Sequence, residues 1–267
     1  MTTWIFLRGL TRESAHWGSF PQSFGQLLPD AHIVALDLPG NGTLHQQSSP
    51  LSIAALVDFC RAEMVRLDLP PPYHLLAMSM GAMVAAQWAC EAPQEVAAAV
   101  LINTSFRPFN PFYQRLRPAN WGTLLRLALL PPSPENVERS VMRMTSQRGT
   151  THAEDLASWI HVRRQRPVQA NNALRQLLCA ARFTARRQPP EVPVLLLGSR
   201  QDQLVNVQCT VTIARRWGCS VALHASGGHD LPLDDPQWVT QQVCHWLDNG
   251  IVRSDATAPC TPTKLVM

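Results

Sequence analysis

The chain has 267 residues, 46% hydrophobic and 16% charged, enough for one large core or a core with a sizeable insertion. No apolar run approaches the roughly 20 residues that cross a bilayer. The start, MTTWIFLRGLTRES, lacks the basic and apolar regions of a signal peptide, so the reading is cytoplasmic. The net charge of +4 conceals an asymmetry: residues 104–190 hold 14 arginines against four acids, a local +10, and the rest of the chain carries −6. No nucleic-acid motif accompanies that surplus, so nucleic acid is excluded as a partner. The seven cysteines show no C-x-x-C or Cys/His spacing and read as buried free thiols rather than metal ligands.

Strand-like apolar runs fall at Trp4–Leu7, His32–Leu36, His74–Met78, Ala97–Ile102, Val192–Leu197 and Val221–His224. Most are continuously apolar, as strands buried on both faces should be. Helical patterns lie between them at Ser52–Leu67, Met80–Glu91 and Val205–Trp217, and a last one at Pro236–Asp248 with Asp235 as its N-cap. This alternation predicts an α/β fold, a mainly parallel sheet of about six strands with helices on both faces. It breaks once. Residues 104–190 carry helix starts at Ser133 and Thr151 and no strand signal, which predicts a helical cap inserted after the fourth strand. Residues 1–103 and 191–250 would then form the core, and 251–267 a tail without periodicity. Trp121, Leu125, Leu129 and Met142 are the candidates for the inner face of the cap.

The strongest local signal is His74-Leu-Leu-Ala-Met-Ser79-Met-Gly81-Ala-Met-Val-Ala-Ala, an apolar strand running into one serine and at once into a helix of small residues. A serine on so sharp a turn projects from the sheet edge, and the helix behind it aims its N-terminus at the same point. The backbone N–H of Met80 is thereby an oxyanion donor. Met78, Met80 and Met83 around the turn read as packing.

These residues resemble the α/β-hydrolase family, whose elbow reads G-x-S-x-G where this chain has Ala77-Met-Ser79-Met-Gly81. Arg8-Gly9-Leu10 stands where the family has His-Gly and an oxyanion residue, which implies the Leu10 N–H as second donor. Asp37-Leu-Pro-Gly40-Asn-Gly42 is similar to a structural turn of the family. Asp202 and His229 fall in segments that resemble its acid and histidine loops. The resemblance implies a serine hydrolase with a Ser79, His229, Asp202 triad, acting on carboxylic esters or thioesters with no metal or organic cofactor. Carbon–carbon hydrolysis, lipase or perhydrolase chemistry, and a non-catalytic binding module, are the alternatives. Asp230, Asp234 and Asp235 read as loop and cap residues. Arg8 either pairs with a carboxylate or touches substrate, and Trp17, with His16, either lines an acyl pocket or sits in the core. The basic cap is similar to that of the pimeloyl-carrier methyl esterase group. That likeness implies an acyl carrier protein or coenzyme A ester as a partner, met by Arg163, Arg164, Arg166, Arg186 and Arg187; a solvated basic face is the plain alternative.

Overall fold

The computed structural model describes residues 1–129, 133–147 and 153–249; the tail 251–267 and the helix start at Thr151 lie outside the described residues. Six strands form one sheet: β1 (Thr2–Leu7), β2 (Ala31–Leu36), β3 (Tyr73–Met78), β4 (Val96–Ile102), β5 (Val194–Ser199) and β6 (Ser220–His224). Their order is β2-β1-β3-β4-β5-β6, and every pairing is parallel. All six therefore end at the same edge. The order reverses between β1 and β3, the point where such sheets open a crevice beyond the strand ends.

Residues alternate between the two faces as the pleat requires. Ile5, Leu7, Leu75, Ala77, Ala99, Leu101 and Leu196 face a core shared with α2 (Ile53–Arg66), α3 (Met80–Glu91) and α9 (Gln208–Trp217). Trp4, Phe6, Leu76, Met78, Val100, Ile102, Leu195 and Leu197 face the other core, with α1 (Phe20–Leu27) and α11 (Pro236–Asp248). The expected cap of α11 is made, Asp235 accepting from the Trp238 N–H at 2.9 Å, and Ser52 caps α2 by accepting from the Ala55 N–H at 3.3 Å. Helix α1 escapes sequence reading because it is only eight residues long, contains Gly25, and buries only Phe20 and Phe24.

Among the described residues, five α-helices lie between β4 and β5: α4 (Phe112–Arg115), α5 (Trp121–Leu129), α6 (Pro134–Thr145), α7 (Ala153–Gln165) and α8 (Ala170–Arg182). A four-residue helix, α10 (Leu231–Asp234), precedes α11. Ser133 caps α6 through the Asn136 N–H at 3.3 Å. Of the positions expected on the inner face, Met142 is buried, whereas Trp121 and Leu125 face solvent; the side chain of Leu129 lies outside the described residues. The apolar side chains that this insertion packs into the body are Phe106, Cys179 and Phe183 rather than those of α5, and polar contacts add to them. Thr11 donates its N–H to Gln176 at 2.8 Å, Asn172 accepts from the Ser49 N–H at 2.9 Å, and Asn120 donates to the Gln203 carbonyl at 2.7 Å.

The deepest of these attachments is ionic. Glu138 of α6 is fully buried between Arg12 of the loop after β1, at 2.6 Å, and Arg163 of α7. Arg12 also lies over the Trp159 ring, 4.2 Å from its centroid. Burial would push the Glu138 carboxyl up, but the two guanidinium charges outweigh it and hold the value below the ordinary range. Removing a charge from such a site leaves its partners buried without compensation. Glu138→Gln is expected to lose about 3–5 kcal/mol of stability in urea denaturation at neutral pH. A loss within about 0.5 kcal/mol would mean that the cluster does not hold the insertion.

Candidate active site

Ser79 joins β3 to α3 with φ 54° and ψ −116°, a left-handed backbone that a residue with a side chain adopts only under strain. Neighbouring groups fix it there. Its N–H donates to the Ile102 carbonyl at 2.9 Å, and its carbonyl accepts from the Thr104 hydroxyl at 3.0 Å and the Ala82 N–H at 3.1 Å. A Cβ on Gly81 would stand 2.5 Å from the Leu7 carbonyl oxygen and 2.6 Å from that of Arg8, so only glycine permits the approach of α3 to β1. Across the crevice, a Cβ on Gly9 would stand 3.1 Å from the Ser79 Cβ, which places the loop after β1 directly against the serine.

Asp202 follows β5 and His229 follows β6, and both are buried. His229 Nδ1 lies 2.7 Å from Asp202 Oδ2. A carboxylate only accepts, so Nδ1 carries the proton and Nε2 presents its lone pair. The other Asp202 oxygen accepts from the N–H groups of Leu204 and Val205, at 2.7 and 2.9 Å. The Ser79 side chain is half-buried, and its hydroxyl makes no hydrogen bond to another described residue, His229 included. Such bonds commonly tighten only when substrate is bound. Met80 is the first residue of α3, and a helix leaves its first N–H groups without internal acceptors. Leu10 lies in the Gly9 loop against the serine. Among the described residues, no three His, Cys, Asp or Glu side chains converge as a metal site would require.

Arg8 does not reach toward a ligand. It forks onto Asp230, at 3.0 and 2.5 Å, with both side chains only 2% exposed, and its guanidinium lies 4.7 Å from the Trp17 ring centroid. Trp17 is itself packed on Phe6 and Phe20 in the core, and His16 is edge-on to Trp159. The structure thus gives Arg8 a carboxylate partner and places Trp17 in the core. Burial, and after it the charges of Arg12, Arg8 and Arg163, hold His16 well below its ordinary value.

Three residues outside the sequence-derived set shape the site. Asp230 ties the loop that carries His229 to the loop after β1 through Arg8. Asn103, at the end of β4 with φ 45°, accepts from the Ser199 N–H and donates to the carbonyls of Gly228 and His229, at 2.9, 3.1 and 2.8 Å. Asp234 accepts from the Gly228 N–H at 2.6 Å and from Ser146 and Gln147 of the insertion. Sequence offered one usable signal, the arginine in place of the family's histidine, which called for a buried acid nearby. Asp37 fills the structural part expected of its turn, accepting from the N–H groups of Ser14 and Thr43 at 2.7 and 2.8 Å.

A strained serine between a parallel strand and a helix, with a buried His–Asp pair on loops beyond the same sheet edge, has a counterpart in known proteins. The family profile described as "Alpha/beta hydrolase family" matches residues 4–242. The chain belongs to the alpha/beta hydrolase family. Among curated relatives, the human protein named monoacylglycerol lipase ABHD6 is 24% identical over 259 residues, covering 91% of this chain and 74% of the relative. Among solved structures, an esterase from Thermogutta terrifontis superposes with a TM-score of 0.71 at 20% identity, covering 93% of this chain and 90% of that one. The esterase RhEst1 from a Rhodococcus species gives 0.74 at 17% identity, covering 92% and 90%. At these identities the structural likeness speaks for the alpha/beta hydrolase fold.

The Arg8–Asp230 pair carries a pH signature. Burial would raise the Asp230 carboxyl, but the charge and hydrogen bonds of Arg8 outweigh it and the value lies below the ordinary range. The stability that Asp230 contributes is therefore full above about pH 4 and is lost as pH falls through the lowered value. Asp230→Asn is expected to cost about 3–5 kcal/mol at pH 7 and to flatten part of the acid limb of stability against pH. An unchanged acid limb, followed by thermal unfolding from pH 7 downward, would show that the pair is not ionic.

Proposed function

We propose that this chain hydrolyses carboxylic esters, with thioesters as a close variant, through an acyl-enzyme on Ser79. The observation that carries the reading is the buried His229–Asp202 contact of 2.7 Å at the sheet edge where Ser79 stands on its strained turn. In this reading, substrate draws the Ser79 hydroxyl and His229 Nε2 together. His229 takes the proton as the oxygen attacks the carbonyl carbon, and Asp202 stabilises the imidazolium. The N–H groups of Met80 and Leu10 receive the oxyanion, each worth about 3–4 kcal/mol in the transition state. His229 then returns the proton to the departing alkoxide or thiolate, and a water activated by the same histidine releases the acid.

The names of the relatives, a monoacylglycerol lipase and esterases, favour an ester with an acyl chain as substrate. Docking of an acyl carrier through the densest arginine cluster loses its support. Arg163 faces Glu138, Arg164 faces Glu135, and Arg166 meets Glu13 at 2.5 Å, so these charges are neutralised within the fold.

Ser79→Ala and His229→Ala are each expected to lower kcat on an acyl ester by roughly 10^4-fold or more, with thermal unfolding nearly unchanged. Because the triad acts as a unit, the double variant falls little further. A fluorophosphonate should add one mass adduct, on Ser79. Hydrolysis that persists in Ser79→Ala would overturn the reading.

A further inference from the structure

Four large apolar side chains of the insertion stand side by side in solvent. Phe112 and Tyr113 are 69% and 51% exposed, and Trp121 and Leu125 are 42% and 60% exposed. Phe112 stacks on Trp121 with ring centroids 5.9 Å apart and meets Tyr113 edge-on at 5.7 Å. Leu125 follows Trp121 by one helical turn on the same face of α5. An amphipathic helix ordinarily turns its apolar stripe to the core, and here the stripe faces outward. The patch is ready to leave water. The Trp121 indole N–H, the only donor of its side chain, already bonds the Leu116 carbonyl at 3.1 Å, so burying the ring strands no donor.

The patch is anchored to the loop that carries Asp202. The Arg117 N–H donates to the Leu204 carbonyl at 2.9 Å, and its guanidinium donates to the Asp202 carbonyl at 3.0 Å. Whatever covers the patch therefore lies beside the strand ends.

Charge selects the occupant. Residues 112–126 contain Arg115, Arg117 and Arg126 and no acid. Arg115 donates to the carbonyls of Ala180 and Ala181, and Arg117 to a carbonyl and the Gln203 side chain, so neither meets a carboxylate. The glutamates that neutralise Arg163, Arg164 and Arg166 have no equivalent here. Aromatic and aliphatic groups beside uncompensated cations suit a surface that is apolar below and negatively charged above. A second copy meeting the patch with residues 112–126 would bring no acid to these cations. Among the described residues, no helix is long and apolar enough to cross a membrane, so this contact would be peripheral.

We propose that this patch docks the protein on an anionic lipid surface and presents Ser79 to esters held there, the second half resting on the hydrolase reading above. The test is co-sedimentation of the full chain, as Ser79→Ala to prevent turnover, with vesicles of phosphatidylcholine alone or mixed with phosphatidylglycerol at about 0.1 M salt. Binding is expected to the mixed vesicles and to be several-fold weaker to phosphatidylcholine. The double variant Phe112→Ser/Leu125→Ser should lower the partition coefficient about tenfold or more. Arg126→Glu should lower it about fivefold on the anionic vesicles only. In the active protein, both variants should keep the melting temperature and the hydrolysis of a small soluble ester. Three results would overturn docking: no binding to either vesicle, binding that the double variant retains, or a dimer in solution that the double variant breaks. Vesicle binding without hydrolysis of any ester by the active protein would instead sink the hydrolase reading and leave docking in place.

Discussion

The architecture turns on one close approach, that of the first turn of α3 to the end of β1. Gly81 brings its backbone to within reach of the Leu7 and Arg8 carbonyls, and any side chain there would collide with them. The strained backbone of Ser79 persists because its own N–H and carbonyl are held by Ile102, Thr104 and Ala82. Strain of this kind costs on the order of 1–3 kcal/mol and survives only where the surroundings over-determine it. Two strands, a helix and a loop meet at that point, so the position of the serine is a property of the sheet as a whole.

A second layer of polar contacts joins the loops that the sheet merely places nearby. Arg8 and Asp230 link the loop after β1 to the histidine loop, Asn103 links β4 to that loop and to Ser199, and Asp234 links it to α6. These are buried groups in low dielectric, where a partnered contact is strong and an orphaned one is costly. The loop that carries the histidine is thus held from several sides.

Two groups of arginines in the insertion have different settings. One part faces glutamates and works as internal fastening, as Glu138 does between Arg12 and Arg163. The other, around α4 and α5, keeps its charge beside exposed aromatic rings. Net charge alone could not separate them, because both contribute equally to the sum.

Local chemistry determined much of this protein before any coordinates. Apolar runs marked all six strands, most of them continuous because the inner strands are buried on both faces, and Ser133 and Asp235 announced helix starts through groups within three residues of the cap. The serine and its glycine were legible because the turn they make is itself local. Contacts between residues far apart in the chain were decided only in three dimensions. Arg8 meets Asp230 across 222 positions and Arg12 meets Glu138 across 126, and no spacing rule connects them. The facing of α5 was undecidable for the same reason: a periodic stripe shows that Trp121 and Leu125 share a side, but which side meets the body depends on packing partners that the stripe does not contain.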